Sequence, residues 1–214
     1  MFLRTEKIVF QGGAGVMDCV LDHPEGPPRG WALVLHPHPL YGGARENKIV
    51  TTVARACVQR GLIAVRPDFR GVGASAGEFD HAVGETADMA ALSEQFELAY
   101  PEAAAGIWVL AGFSFGTAVA AQLYAQRAEQ GVRVPDRLIL IGCAVERFRF
   151  REVDVPVDTL MVHGESDEVV PLSEGMDFAR AHDLPMTVVP DGSHFFHGKL
   201  LVLRQILQNA LSGV

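Results

Sequence analysis

The clearest indication of the fold is the segment Ile107-Trp108-Val109-Leu110-Ala111-Gly112-Phe113-Ser114-Phe115-Gly116. It begins as a short apolar run and ends in two glycines that flank a serine, and helical periodicity follows over residues 116–128. An apolar run that does not alternate with polar residues is typical of a strand buried on both faces, as in a parallel sheet covered by helices. The stretch therefore predicts a strand, a sharp turn and a helix in direct succession.

The same alternation of apolar run and helical segment extends in both directions along the chain. Segment 47–60, for example, places its apolar residues on one helical stripe. The first 25 residues, interrupted by Gly12 and Gly13, predict an antiparallel hairpin at the sheet edge. We therefore predict one α/β domain over residues 1–214, a doubly wound, mostly parallel β-sheet with helices on both faces. The other apolar runs lie at 31–35, 62–66, 137–141, 159–163 and 186–189.

Composition excludes several classes of protein. With 49% hydrophobic residues the chain is too apolar for a disordered protein, yet no run approaches the roughly 20 apolar residues of a membrane helix. A net charge of −8 without a Lys/Arg block makes nucleic-acid binding improbable. Cys19, Cys57 and Cys143 are far apart, as expected of reduced thiols, and the first residues do not resemble a signal peptide. We expect a cytoplasmic protein, and the sequence leaves a homodimer open.

The turn motif is the strongest functional signal. Residues Gly112 to Gly116 fit G-x-S-x-G between a strand and a helix, the context in which this motif presents a nucleophilic serine. A serine hydroxyl is a weak nucleophile and must project freely toward a base and a substrate carbonyl, which a sharp turn allows. The motif predicts Ser114 as nucleophile, and the alternative is an ordinary turn with an incidental serine.

A carboxylate and a histidine should follow such a serine in that order, each after a later strand. Asp167 comes soon after the apolar run 159–163, and His194 comes soon after the run 186–189. These two residues are therefore the predicted carboxylate and base. The competing candidates are Glu165 and Glu168 for the carboxylate and His197 for the base.

Five segments, in order, resemble the motifs of the α/β-hydrolase superfamily, and specifically its small lidless serine hydrolases of the dienelactone-hydrolase-like group. The resemblance implies Ser114 as nucleophile, His194 as general base and then acid, and Asp167 as its orienting carboxylate. Dienelactone hydrolases in the strict sense carry cysteine where this chain has Ser114, so their lactone substrate is not carried over. The segments are Leu35-His36-Pro37-His38-Pro39, Asp68-Phe69-Arg70-Gly71-Val72-Gly73-Ala74-Ser75, Gly112-Phe113-Ser114-Phe115-Gly116, His163-Gly164-Glu165-Ser166-Asp167 and Gly192-Ser193-His194.

An acyl-transfer site also needs two N–H groups aimed at the oxyanion. One belongs to the residue after the nucleophile, Phe115. The second comes from the loop after the first parallel strand, where Pro37 and Pro39 have no N–H to give. The family's usual arrangement points to His38, with Leu40 as the next eligible donor.

Apolar side chains near these residues predict an apolar acyl or aryl pocket, although aromatic residues are as often part of a core. Arg149 and Arg151 lie in the short connection where larger relatives carry a lid, so a cationic side chain there would face an acidic substrate. Without a lid, the site should be open. The predicted pocket residues are Leu40, Tyr41, Phe113, Phe148 and Phe195.

Two further patterns are interpreted as structural. The glycines of segment 71–77 are spaced G-x-G-x-x-x-G rather than as a dinucleotide fingerprint, and Glu78 and Asp80 add negative charge where phosphates would lie. His36 and His38 are close in sequence, but no H-E-x-x-H or C-x-x-C accompanies them. We predict no metal and no cofactor.

The sequence thus predicts a serine hydrolase that cleaves carboxylic ester or thioester bonds of small to medium acyl substrates through an acyl-enzyme. Its expected partner is a small ester-type molecule, without nucleic acid or membrane. Two alternatives remain open. One is a peptidase- or lactonase-type reaction on the same triad, and the other is a non-catalytic binding protein on the same fold.

Overall fold

An eight-stranded β-sheet runs through residues 4–213, the part of the chain that the computed structural model describes. The strands are β1 (Arg4–Gly12), β2 (Gly15–His23), β3 (Gly30–Leu35), β4 (Leu62–Pro67), β5 (Ile107–Phe113), β6 (Arg137–Ile141), β7 (Leu160–Gly164) and β8 (Met186–Val189). Their order across the sheet is β1-β2-β4-β3-β5-β6-β7-β8. The β1–β2 hairpin is antiparallel and β2 pairs antiparallel with β4, whereas every other pair is parallel. The predicted mostly parallel sheet with a hairpin at its edge is confirmed.

Helices connect most of the parallel strands. They are α1 (Lys48–Gln59), α2 (Val83–Ala99), α3 (Pro101–Ala104), α4 (Phe115–Glu129), α5 (Leu172–Ala181) and α6 (Leu200–Ala210), with 3-10 turns at Pro39–Tyr41 and Val145–Arg147. Helix α1 begins where Asn47 caps it, because the Asn47 side chain accepts a hydrogen bond from the Ile49 N–H at 2.8 Å. Within residues 4–213, no helix is long and apolar enough to cross a membrane.

The sheet has a hydrophobic core on each face. Successive side chains of a strand point to opposite faces, so each strand in the middle of the sheet contributes to both cores. Trp31 and Leu33 of β3 pack in the core that includes α2 and α4, whereas Ala32 and Val34 pack in the core that includes α1 and α6. This arrangement confirms the doubly wound α/β class with helices on both faces.

The strand order brings distant segments together at the carboxyl edge of the sheet. Strands β3 and β5 are neighbours, and Leu35 pairs with Gly112, so the loop after β3 and the turn after β5 begin side by side. Strands β7 and β8 are also paired, with Gly164 opposite Val189. Ligands of open α/β sheets bind beyond this edge, which is therefore where the functional site is expected.

The β6–β7 connection, residues 142–159, packs on α4 and inserts no domain over the sheet edge. Its helical structure is limited to the 3-10 turn at Val145–Arg147. Gln122 of α4 holds it at two points, because its Oε1 accepts from the Phe150 N–H at 2.8 Å and its Nε2 donates to the Phe148 carbonyl at 3.3 Å. The connection therefore carries no lid domain, as the sequence predicts.

Candidate active site

Ser114 occupies a strained turn between β5 and α4. Its φ of 53° and ψ of −120° lie in a region that residues with a side chain seldom adopt. Such a conformation costs of order 1–3 kcal/mol and persists only where neighbouring structure enforces it. Here the Ser114 N–H donates to the carbonyl of Ile141 at 2.9 Å, which attaches the turn to the neighbouring strand β6.

The two glycines of the motif allow this turn to form. A Cβ on Gly112 would lie 2.2 Å from the carbonyl oxygen of Gly116, and a Cβ on Gly116 would lie 2.6 Å from that of Leu35. Both separations are far below van der Waals contact, and the atoms met are backbone. The spacing of the glycines around Ser114 is therefore a packing requirement of the turn.

Asp167 and His194 form a buried, hydrogen-bonded pair. His194 Nδ1 donates to Asp167 Oδ2 at 2.7 Å, while Asp167 Oδ1 accepts from the N–H groups of Val169 and Val170 at 2.9 and 2.8 Å. Burial acts to raise the pKa of the Asp167 carboxyl, but these hydrogen bonds, led by that of His194, outweigh it and hold the pKa below its usual value. The carboxylate is thus ionised and its orientation is fixed.

Among the described residues, none of the competing candidates forms a hydrogen bond with the His194 ring. Glu165 accepts a hydrogen bond from the Asp191 N–H at 2.9 Å, and Glu168 accepts one from the backbone N–H of His194 at 3.3 Å. His197 is exposed, and its backbone N–H donates to the Ser193 hydroxyl. Of the carboxylates proposed from the sequence, Asp167 is the one bonded to the imidazole.

Ser114 and His194 both lie near the end of β6. Gly142 follows Ile141, the residue that accepts from the Ser114 N–H, and a Cβ on Gly142 would lie 3.2 Å from His194 Cε1. Among the described residues, no hydrogen bond joins the Ser114 hydroxyl to His194. Bonds between nucleophile and base are often long in free enzymes and shorten when substrate is bound.

The loop after β3 presents His38 to the same edge. The Leu40 N–H donates to His38 Nδ1 at 3.2 Å, so the alternative oxyanion donor is already used. Burial and the nearby His81 lower the pKa of His38, in keeping with a neutral ring that accepts this bond. Within residues 4–213, the backbone N–H groups of His38 and Phe115 donate to no backbone oxygen, and Phe115 is the first residue of α4, where N–H groups point out of the helix.

Aromatic rings gather around the His38 imidazole. The ring centroids of Tyr41, Phe148 and Phe115 lie 4.7, 5.3 and 5.2 Å from that of His38. Phe79 joins them at 4.6 Å, although the sequence did not identify it. We call these five residues the His38 aromatic cluster.

The loop that carries Phe79 could not be predicted from residue types. His81 and Ala82 adopt positive φ angles of 51° and 75°, a conformation that neither residue favours and no pattern announces. The buried Glu85 holds this loop, since its Oε1 accepts from the Asp80 N–H at 2.8 Å.

The other predicted pocket residues have different environments. Leu40 and Tyr41 are 69% and 87% exposed, and Phe195 is partly exposed, with its ring 5.0 Å from that of His194. Phe113 is buried in the core, 4.9 Å from the His194 ring, so its contribution is to support the histidine.

Arg149 and Arg151, expected to meet an acidic substrate, are already paired with carboxylates. Arg149 pairs with Glu146 and Arg151 pairs with Glu129, which argues against that expectation.

His36 has no nitrogen left for a ligand. It is buried, its Nδ1 donates to the Pro37 carbonyl at 2.7 Å, and its Nε2 accepts from the Phe69 N–H at 2.9 Å. Desolvation lowers its pKa to about 4, so the ring is neutral. His36 thus joins two loops instead of forming a metal site with His38.

Comparison with known proteins agrees with the fold described above. The family model for serine hydrolases (FSH1) matches residues 89–200. The chain is 36% identical to an α/β serine hydrolase without a lid from Xanthomonas campestris, with a TM-score of 0.85 over 97% of this chain and 94% of that one. An α/β serine hydrolase homologue from Coxiella burnetii is also 36% identical, with a TM-score of 0.84 over 97% of each chain. Dienelactone hydrolase from Anabaena variabilis shares the fold, with a TM-score of 0.77 at 18% identity over 100% of this chain and 99% of that one.

The sheet order and the strained serine turn define an α/β hydrolase fold. The family match and the identity over nearly the whole chain place the protein in a narrower group. The chain belongs to the lidless serine hydrolases of this fold.

Proposed function

We propose that the protein is a carboxylesterase or thioesterase that cleaves small to medium acyl substrates with Ser114, His194 and Asp167. The observation that carries this proposal is the buried 2.7 Å bond between His194 and Asp167, placed beside the strained turn of Ser114. A nucleophile, a base and a group that orients the base are the requirements of covalent acyl transfer.

The reaction follows from the positions of these groups. His194 takes the proton of the Ser114 hydroxyl as Oγ attacks the substrate carbonyl carbon. The tetrahedral oxyanion is stabilised by the N–H groups of Phe115 and His38. The intermediate collapses, and His194 gives its proton to the departing alcohol or thiol. Water, deprotonated by His194, then attacks the acyl-enzyme and releases the acid and free Ser114.

Asp167 acts through the histidine. Its bond to Nδ1 leaves Nε2 free to accept the serine proton, and its negative charge stabilises the imidazolium that forms during each proton transfer. The lowered pKa of the Asp167 carboxyl means that this charge is present throughout the working range of an esterase.

Apolar surface on two sides of the site supports an uncharged acyl or aryl substrate. The His38 aromatic cluster lies on one side, and Phe195 stands next to His194 on the other. Arg149 and Arg151 of the β6–β7 connection are paired with carboxylates, so an anionic substrate has less support than an apolar one. A small ester-type molecule is the partner that this surface fits.

We place the reaction in the cytoplasm on the evidence of the thiols. Cys19, Cys57 and Cys143 are all unpaired and buried. Burial raises the pKa of Cys57 and of Cys143 to about 12, so neither thiol is reactive. Unpaired cysteines are typical of proteins in a reducing compartment.

Labelling with a fluorophosphonate probe tests the proposal. We expect one adduct per chain, on the peptide that contains Ser114, and hydrolysis of p-nitrophenyl acetate and butyrate. Ser114→Ala should lose the adduct and lower kcat by at least about 10³-fold, because the triad acts as a unit. Ser173→Ala, at an exposed serine of α5, is the matched control and should behave as wild type.

Each alternative gives a different result. No adduct and no hydrolysis in folded protein would show a binding protein on a hydrolase fold. Turnover of anilides or lactones in preference to esters, abolished by Ser114→Ala, would show a peptidase- or lactonase-type enzyme on the same residues. An adduct that persists in Ser114→Ala would overturn the assignment of the nucleophile.

A further inference from the structure

A second buried histidine, His163, lies against the Asp167 carboxylate. It is the fourth residue of β7 and is 1% exposed. Its Nε2 lies 2.8 Å from the carbonyl oxygen of Val170 and 3.4 Å from Asp167 Oδ2. Because a carbonyl oxygen can only accept, Nε2 carries the proton and donates it.

His163 reaches Asp167 by two routes. Directly, its N–H lies near Oδ2, the same oxygen that accepts the His194 N–H. Indirectly, it binds the carbonyl of Val170, whose own N–H donates to Asp167 Oδ1 at 2.8 Å. One imidazole therefore supports both the carboxylate and the turn that holds it.

The other nitrogen of His163 is closed off. Nδ1 is buried and, among the described residues, has no hydrogen-bond partner. Helix α5 packs against it at Gly175, where a Cβ would lie 2.7 Å from Nδ1. A second proton on this ring would have no acceptor, so the arrangement fits a neutral imidazole that serves as a donor only.

We infer that His163 is a positioning residue for the Asp167–His194 pair and sets the pH at which His194 acts as a base. This inference rests on the proposed function of the triad. An N–H dipole held 3.4 Å from the carboxylate stabilises its negative charge and so weakens its hold on the His194 proton. With His163 in place, His194 becomes an effective base at a lower pH than Asp167 alone would allow.

The other charged groups around the pair are accounted for. Glu168 accepts from the His194 backbone, and an ion pair of 2.6 Å between Arg147 and Glu174 lies close enough to influence Asp167. The remaining contacts of the His194 ring, Phe113, Gly142 and Phe195, carry no charge. A change at His163 leaves all these groups in place, so its effect is separable from theirs.

Three variants isolate the contribution of the His163 donor. His163→Met removes the N–H but keeps an unbranched side chain of similar length, whereas His163→Gln retains a side-chain N–H. Val162→Ala is the matched control, because Val162 is buried in the core on the opposite face of the same strand. The measurements are kcat/KM against pH on a soluble ester and the pH titration of the low-field ¹H NMR signal of the His194 Nδ1–H.

In His163→Met, we expect the acidic limb of the kcat/KM profile to move up by about 0.5–1 pH unit, the equivalent of one hydrogen bond. The NMR midpoint should move with it, and kcat should fall while KM is nearly unchanged. His163→Gln should restore most of the shift, and Val162→Ala should keep the wild-type midpoint. If His163→Met does not fold, Gly175→Ala, which presses on Nδ1, should give a smaller shift in the same direction.

Two results would overturn the inference. One is a His163→Met enzyme whose kcat/KM is lower at every pH while the midpoint of the acidic limb does not move. The other is a shift of that midpoint in Val162→Ala as large as in His163→Met. Either result would show that His163 has a structural role only. Failure of the proposed function looks different. Wild-type protein would then give no fluorophosphonate adduct, while the NMR titration would still report on the Asp167–His194 pair.

Discussion

At the scale of the residue, the candidate site depends on a positive φ angle at Ser114, which residues with a side chain seldom adopt. Ser114 is held at a positive φ by a hydrogen bond to Ile141 and by two glycines that leave room for the turn. Ser114, the proposed nucleophile, and Phe115, a proposed oxyanion donor, are thus held by the same few atoms.

Gly112→Ala tests this dependence. The new Cβ would meet the Gly116 carbonyl at 2.2 Å, and the turn must move to relieve the clash. We expect a loss of about 2–3 kcal/mol in the free energy of unfolding and about a 10²-fold lower kcat, because small displacements of reacting groups are costly. Urea denaturation and ester hydrolysis measure the two effects. Gly213→Ala, where no atom lies within 4 Å of the new Cβ, is the control, and wild-type behaviour of Gly112→Ala would contradict the account.

The sequence was sufficient to predict some residues of the candidate site but not others. Ser114, Asp167 and His194 were predicted as site residues because motif and strand order point to them, and the structure brings Asp167 and His194 together. Phe79 was missed because its position depends on the positive φ of His81 and Ala82. The contact of His163 with Asp167 was missed because it depends on the path of the turn between them, which residue types do not reveal.

At the scale of the element, His36 joins the end of β3 to the loop after β4. Both ring nitrogens are bonded, one to the Pro37 carbonyl and one to the Phe69 N–H, and the ring packs on Phe69 at 4.3 Å. A proton on Nε2 would break the bond to Phe69. The loop that carries His38 is therefore held by a histidine that must remain neutral.

This requirement predicts a loss of stability in acid. The folded pKa of His36 is about 4, whereas a histidine in the unfolded chain titrates near about 6.5. Between these values the unfolded chain binds a proton that the folded protein does not, so the His36 contribution is fully present above about pH 6.5 and is lost as the pH falls to about 4. The loss amounts to about 3 kcal/mol.

His36→Gln removes this titration. Its free energy of unfolding should change less than that of wild type between about pH 7 and about pH 4.5, by roughly 2.5 kcal/mol. His197→Gln, at an exposed histidine, should retain the wild-type dependence. Guanidinium denaturation at both pH values gives the comparison, and equal pH dependence in wild type and His36→Gln would show that His36 is not the responsible group.

Hydrophobic periodicity predicted the elements well where burial is complete. The strands in the centre of the sheet are buried on both faces, and their apolar runs match the observed bounds within one or two residues. The β6–β7 connection was different, because it is held by Gln122 through hydrogen bonds to backbone atoms. Such hydrogen bonds depend on the path of the backbone, so they produce no apolar periodicity in the sequence from which the connection could be predicted.

At the scale of the whole molecule, the lidless architecture predicts a site that is open at the sheet edge. The β6–β7 connection is attached to α4 through Gln122 and through the ion pair between Arg151 and Glu129. The segment that would have to move in a gated enzyme is thus fixed to the body of the protein.

An open site predicts ordinary saturation kinetics on poorly soluble esters. The rate of tributyrin hydrolysis should rise smoothly through the solubility limit of the substrate, since no element has to open at an interface. Triacetin, which stays in solution, is the matched substrate and should give a curve of the same form. A sharp increase of the tributyrin rate when droplets appear would show that a covering element exists.

The strand order also places the proposed site residues next to strands that differ in their resistance to local unfolding. The proposed nucleophile and both proposed oxyanion donors follow β3 and β5, neighbours in the interior of the sheet, whereas His194 follows β8, a strand at its edge. Edge strands exchange their amide hydrogens through small local openings more readily than interior strands do. When the last strand frays briefly, the proposed nucleophile and oxyanion donors stay in place while the proposed base does not, so turnover depends on a strand at the edge of the sheet.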